Sequence, residues 1–262
     1  MRYRSSVSQV IPPPAPRQLD GATERQAAQG LPRVPHPGFG SGGRIWLVRH
    51  GRVDAAWSGR AYGNAEVPLS PDGEEDTRRL AEALATWKIA ALACSPLERA
   101  HCLGRRLFGL LAPEVAGAQL RVSPDLRELD RGTWQGLPNA EYARRWAEEA
   151  VAYHAAPYDW RGNGGESDAQ LTSRTWPVME ELMLEAAGGT AVLVAHDNVI
   201  RVLLAKALGI PPASSFNLRN DPGHASLLSD AVDLPGAGSR WVLERSNVRT
   251  PHSGPHPVED VG

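Results

Sequence analysis

The sequence predicts an α/β fold: a three-layer α/β/α sandwich whose mostly parallel sheet is covered by helices on both faces. Three observations carry this expectation. The apolar runs "RIWLV" (44–48), "IAALAC" (89–94) and "TAVLVA" (190–195) have strand length and no polar alternation, as strands buried on both sides require. The stretches between them carry helix start and stop signals. Strand and helix signals alternate along the chain, and parallel strands joined by helical crossovers produce that order.

The elements follow in sequence. After the first strand, "SPDGEEDTRRLAEALATW" (70–87) reads as a helix, with Ser70 as N-cap, Pro71 at the first position and acids in the first turn. Beyond the strand at 89–94, "SPLERAHCLGRRLFGLL" (95–111) reads as a second helix opened by a capping box of Ser95 and Glu98. "LRV" (120–122) is a short strand. "PNAEYARRWAEEAVAYH" (138–154) reads as one peripheral helix inside a small helical cap from about 134 to 165. "SDAQLTSRTWPVMEELMLEAA" (167–187) follows a second capping box, Ser167 with Gln170, and should kink near Pro177. "DNVIRVLLAKALG" (197–209) is a helix ending on glycine, and "ASLLSD" and "RWVLER" should pair antiparallel at an edge.

The expected domain therefore spans 44–248. Residues 1–43 hold seven prolines and six glycines without apolar periodicity, and 249–262 read the same way. Such segments bury too little surface to offset their ordering entropy, so both are expected to be flexible tails. "IPPPAP" (11–16) could dock to a proline-reading partner, but a plain tail is the simpler reading. The Arg- and Ser-rich start lacks the apolar region of a secretory signal.

Composition excludes several function classes. A net charge of −2 offers no general basic field for nucleic acid or acidic membrane. No apolar stretch approaches the roughly 18 residues of a membrane span. Two cysteines, Cys94 and Cys102, make neither a disulfide framework nor a thiolate metal cage, so a reducing, cytoplasmic setting fits.

Three strands end in one kind of chemistry. The first runs into Arg49-His50-Gly51, the second into Ser95 and then Arg99, the third into His196. Ligands of open α/β sheets bind outside the carboxyl ends of the strands. Helices beginning at Ser95 and Asp197 would aim their N–H groups at the same edge, which favours an anion. Two arginines and two histidines there make a phosphate pocket.

Six blocks in order carry a resemblance: "LVRHG" (47–51), "GRAYGNAEVPLSPDG" (59–73), "CSPLERA" (94–100), "LRELDRGTWQG" (126–136), "GGES" (164–167) and "VAHDNVIR" (194–201). The chain resembles the histidine phosphatase superfamily in its phosphoglycerate-mutase-like branch, over roughly residues 44 to 229. The resemblance implies a phosphoglycerate-mutase-like fold and hydrolysis of a small phosphomonoester, with no metal or other cofactor. It makes His50 the nucleophile of a phosphohistidine, Arg49 and Arg99 a clamp on the phosphoryl oxygens, His196 a further donor and Glu128 the general acid. Arg60, Tyr62 and Gly63 would face the substrate.

The chain departs from the family at three positions. Ala56 stands where many relatives carry a phosphate-contacting asparagine, which would shift the donor set toward Arg60 or Arg52. Tyr62 holds a position often occupied by glutamine. Asp197 follows the second histidine where most relatives have glycine, and so resembles the His-Asp pair of the acid phosphatase and phytase branch, whose aspartate donates the proton. That branch also carries an arginine three residues after its first histidine, and Val53 stands there in this chain. Asp197 is thus either an alternative proton donor or, more simply, the N-cap of the following helix. Among the eight tryptophans only Trp134, inside the Glu128 block, is expected near the site.

Two other activities stay open at this point. One is mutase-type phosphoryl transfer, although "LRELDRGTWQG" resembles the shorter phosphatase version of that block. The other is a scaffold that keeps the pocket without turnover. "YGNAEVPLS" resembles the α-ribazole phosphatases.

Overall fold

The computed structural model describes residues 43–111, 120–230, 241–249 and 251. Almost all of the two expected tails, with the "IPPPAP" stretch, lies outside them. Among the described residues six strands form one sheet: β1 (Arg44–Arg49), β2 (Ile89–Cys94), β3 (Arg121–Val122), β4 (Thr190–Ala195), β5 (Ala225–Asp230) and β6 (Trp241–Val248), in the order β3-β2-β4-β1-β5-β6. The first four are parallel, while β5 runs antiparallel to β1 and to β6. The helices are α1 (Pro71–Leu84), α2 (Glu98–Leu110), α3 (Asn139–Arg145), α4 (Ala147–Ala155), α5 (Asp168–Ala186) and α6 (Asp197–Leu208).

Strand side chains alternate between faces, and each face has its own core. Ile45, Leu47 and Leu193 pack with Leu182 of α5 and Leu203 of α6. Trp46, Val48 and Val194 pack with Leu80 and Leu84 of α1 and Leu103 and Leu107 of α2. Helices on both faces explain why β1, β2 and β4 read as unbroken apolar runs.

The helix ends separate local signals from tertiary ones. Ser70 caps α1, its Oγ accepting from Gly73 N at 3.0 Å, with Pro71 in the first turn. Both halves of the Ser167–Gln170 capping box open α5, which runs through Pro177. Gly209 closes α6 in the left-handed region at φ 67.

Three expectations fail. No capping box forms at Ser95: Leu97 is the N-cap of α2 without a side-chain bond, and the Ser95 hydroxyl meets both His196 Nε2 and Leu97 N. The stretch 138–154 breaks at Trp146 (φ −130, ψ 53), giving α3 and α4 in place of one helix. Asp197 is not an N-cap. His196 takes the extended cap conformation (φ −131, ψ 172) and Asp197 is the first helical residue.

A buried ion pair ties α5 to α6. Arg201 meets Asp168 through two bonds of 2.7 and 2.8 Å, with the side chains 4% and 2% exposed. Ser215 Oγ, at 2.6 Å, accepts from the same guanidinium, which lies 4.3 Å from the Phe216 ring. Arg201→Ala strands a buried carboxylate and should cost about 3–5 kcal/mol in urea denaturation. The double variant Asp168→Leu/Arg201→Met leaves no charge behind and should recover most of that loss; equal losses in both would contradict the account.

Candidate active site

The sheet order makes β2, β4 and β1 neighbours, and register aligns their ends. Val48 and Cys94 both pair with Val194, so His50, Ser95 and His196 leave the sheet at one level. The imidazole centroids of His50 and His196 lie 5.2 Å apart. Gly51 lets the chain pass close against the start of α1, since a Cβ on it would meet Gly73 O at 2.1 Å.

The hydrogen bonds of His50 fix its tautomer. Nδ1 lies 2.7 Å from Gly51 O. A carbonyl only accepts, so Nδ1 carries the proton and Nε2 keeps its lone pair. Arg99 Nε donates to that Nε2 at 3.3 Å. Burial, then the charges of Arg99 and Arg49, hold the imidazole well below the usual histidine range. His50 is therefore neutral near pH 7, with its unprotonated nitrogen next to fixed positive charge.

His196 is fully buried, with Nε2 2.7 Å from Ser95 Oγ and no partner for Nδ1 among the described residues. Burial first, and then Arg99, pull its pKa down as well. Arg49 donates from Nη1 to Asn220 O and approaches Asp197 Oδ1 at 3.4 Å, while its buried Nε has no partner among the described residues. Arg99 is largely committed. Its Nη1 and Nη2 hold Ala65 O at 2.7 Å and Gly63 O at 2.8 Å, and only Nε turns to His50.

Glu128 lies in an irregular segment between two short 3-10 turns and is 5% exposed. Its Oε1 accepts from Leu129 N at 2.7 Å and its Oε2 from Asn198 N at 3.3 Å. The second bond sets this carboxylate on the N-terminal turn of α6, the turn that also carries Asp197. Lost hydration at the pocket wall raises the Asp197 pKa against the pull of Arg49, and the Glu128 charge adds to the rise.

These groups adjoin a cavity of about 600 Å³. Arg49, Glu128 and Asp197 form part of its wall, beside the buried His50, Arg99 and His196. Arg52, Arg60, Tyr62 and Gly63 line it from the loop after β1. Arg52 is paired with Asp72 at 3.1 Å and Asp76 at 2.9 Å. Arg60 bonds the carbonyls of Ala56 and Gly136 at 2.9 and 3.0 Å, which leaves its charge unneutralised by those partners. Tyr62 stacks 5.2 Å from the Arg99 guanidinium. Gly63, at φ 45, passes so near the Glu128 segment that a Cβ would meet Leu129 O at 2.7 Å.

Other wall residues escaped sequence reasoning. Arg131 lies within the quoted "LRELDRGTWQG" block, and a cation three residues from the acid was a usable signal. Asn139 and Tyr142 come from α3, whose sequence carries no such mark. Trp134 does not line the cavity. It is 1% exposed and stacks on Tyr142 at 4.8 Å, so it braces a wall residue from behind. Among the described residues, no group of three His, Cys, Asp or Glu could hold a metal ion, and no helix is long and apolar enough to cross a membrane.

Comparison with known proteins extends the geometry. The model of the histidine phosphatase superfamily (branch 1) matches residues 45–246. The adenosylcobalamin/alpha-ribazole phosphatase of Salmonella typhimurium is 28% identical over 212 residues, covering 79% of this chain and 99% of that protein. The glucosyl-3-phosphoglycerate phosphatase of Mycobacterium tuberculosis is 31% identical over 186 residues, covering 65% of this chain and 78% of that one. A solved native structure of the mycobacterial glucosyl-3-phosphoglycerate phosphatase superposes with a TM-score of 0.64 at 28% identity, covering 78% of this chain and 98% of that one. With the match running nearly the whole length of the sheet and its helices, this chain belongs to branch 1 of the histidine phosphatase superfamily and is a phosphoric monoester hydrolase.

Proposed function

We propose that the chain hydrolyses a small, sugar-sized phosphomonoester through a phosphohistidine on His50. One observation carries the reading: His50 is buried and neutral, with Nδ1 pinned by Gly51 O and the Nε2 lone pair held among cations at the cavity end. In the first step Nε2 attacks phosphorus and the bond to the leaving oxygen breaks. Glu128, as general acid, gives that oxygen its proton. In the second step the Glu128 carboxylate takes a proton from water, the water oxygen attacks phosphorus, and the Nε2–P bond breaks to release inorganic phosphate. Arg49, His196, the Nε of Arg99 and the N-terminus of α6 stabilise charge on the transferred group.

The cavity supports a polar leaving group of sugar size. Arg60 and Arg131 face it with Tyr62, Tyr142 and Asn139, and the relatives include an adenosylcobalamin/alpha-ribazole phosphatase and a glucosyl-3-phosphoglycerate phosphatase. In this reading the catalytic domain spans 44–248, and residues 134–165 form a cap that contributes part of the substrate wall. Two free thiols, Cys94 buried and Cys102 half-buried, support a reducing cytoplasmic setting.

A panel of sugar phosphates, nucleotides and α-ribazole phosphate, assayed with EDTA present, should give turnover on at least one member. Rapid quench with that substrate carrying labelled phosphate should trap an acid-labile phosphoenzyme, and free phosphate should be the main product. Label moving to a second hydroxyl of a phosphoglycerate would make the chain a mutase. Neither phosphoenzyme nor turnover would leave a pocket that binds without catalysing.

A further inference from the structure

The proposed acid Glu128 sits on a segment with no strand or helix of its own, yet its position must hold to a fraction of an ångström to protonate a leaving group. Leu126 and Leu129 anchor the segment in the core, and one side chain from α5 ties down its backbone. Arg174 donates from Nη1 to the carbonyls of Asp125 and of Arg127, the latter at 2.8 Å, and from Nη2 to the carbonyl of Glu128 itself at 3.3 Å. Its Nε and Nη2 also grip Glu166 at 2.6 and 2.7 Å. A guanidinium has five N–H donors in a rigid fork, and these five contacts match all of them.

Glu166 completes the clamp on the far side of the acid. Its Oε2 accepts from Asp130 N at 3.4 Å, and its own N–H donates to Asp130 O at 3.0 Å. Residues 125 to 130 are thus held at four points around Glu128 by one ion pair. Arg174 is 22% and Glu166 14% exposed at the side chain, so water competes weakly for these bonds. The pair borders a second, open cavity of about 350 Å³ that also reaches Glu128.

From this geometry we infer that Arg174, seated by Glu166, is the positioning residue of the proton donor: it fixes Glu128 for protonation of the leaving group and contributes little to substrate affinity. The inference rests on Glu128 being the acid. A lysine ammonium has three donors and no planar fork, so it cannot hold three carbonyls and a bidentate carboxylate at once.

Arg174→Lys, Glu166→Gln and Glu128→Gln are to be assayed with wild type on an alkyl phosphate and on p-nitrophenyl phosphate, whose phenolate leaves without a full proton. Arg174→Lys should keep a cooperative melt and a nearly unchanged KM, and lose kcat on the alkyl phosphate on the order of 10²-fold, as a misplacement near 1 Å does. Its loss on p-nitrophenyl phosphate should be far smaller. Glu166→Gln should show the same selectivity with a smaller loss, and it decides the matter if Arg174→Lys does not fold. Millimolar guanidinium chloride should restore alkyl phosphate turnover to Arg174→Ala, because the second cavity gives the ion access. Equal losses on both substrates, or none, in a variant that melts like wild type would overturn the inference. Selectivity in Glu128→Gln but in neither clamp variant would overturn the clamp alone. Its absence from Glu128→Gln as well would remove Glu128 from the acid role, and the clamp's role with it.

Discussion

His50→Ala should lose at least three powers of ten in kcat on every phosphomonoester the wild type turns over, since a missing nucleophile has no substitute in the pocket. His196 is the other imidazole near the site, but Ser95 Oγ engages its Nε2 and its Nδ1 is sealed from solvent. The variant should still melt cooperatively, because His50 makes one side-chain bond to the adjacent residue and one to Arg99. A steady-state assay with a phosphoenzyme trap checks the first claim. Retention of more than about a hundredth of wild-type activity would sink the nucleophile assignment.

The same residue makes a pH prediction. Burial and neighbouring arginines hold His50 and His196 well below 6.5, whereas an unfolded histidine titrates near that value. Below about pH 6.5 the unfolded chain therefore takes up protons that the folded chain refuses. Stability contributed by these neutral imidazoles is present above that pH and falls as pH drops below it. His50→Ala should flatten that acid-side loss in urea titrations from pH 7 to 5, and an unchanged slope would contradict the buried neutral state. On the activity side, the His50 limb of kcat/KM should lie below the ordinary histidine range.

Much of this molecule was legible before its structure, and the boundary is physical. β1, β2 and β4 announced themselves because both their faces are buried, so their apolar runs are complete within a few residues of sequence. Ser70, the Ser167–Gln170 box and Gly209 were readable because capping is local chemistry between residues three or four apart. Ser95 had the same local signal and was misread. Its hydroxyl meets Leu97 N and also His196, 101 residues away, and no local pattern reports the distant partner. Trp146 splits the cap helices although its neighbours favour helix, and nothing in the sequence marks the break. The cluster around His50 was legible since each member follows a recognisable strand. Arg174 was not, because an arginine in mid-helix looks like any other until the fold lays it against three carbonyls from some 46–49 residues earlier.

The second large effect separates the two acids that meet at the first turn of α6, Glu128 and Asp197. If Glu128 protonates the leaving oxygen, Glu128→Gln should lose on the order of 10²–10⁴-fold in kcat on alkyl phosphates. It should keep far more activity on p-nitrophenyl phosphate, whose leaving group needs little help. Asp197→Asn should show no such selectivity, for a reason other than helix capping: His196 is the cap, and the Asp197 carboxylate instead sits 3.4 Å from Arg49. That carboxylate competes with the phosphoryl group for the same guanidinium. Losing it should tighten inhibition by inorganic phosphate and orthovanadate several-fold, through a freed Arg49 and one less negative charge beside the anion. Since burial raises the Asp197 pKa, the wild-type carboxylate discharges at a higher pH than an ordinary aspartate. The phosphate-affinity ratio of variant to wild type should therefore shrink toward one as pH falls through that range. Leaving-group selectivity in Asp197→Asn and its absence from Glu128→Gln would reverse the assignment. The proton would then come from the residue after the second histidine, as in the acid phosphatase branch that this position resembles.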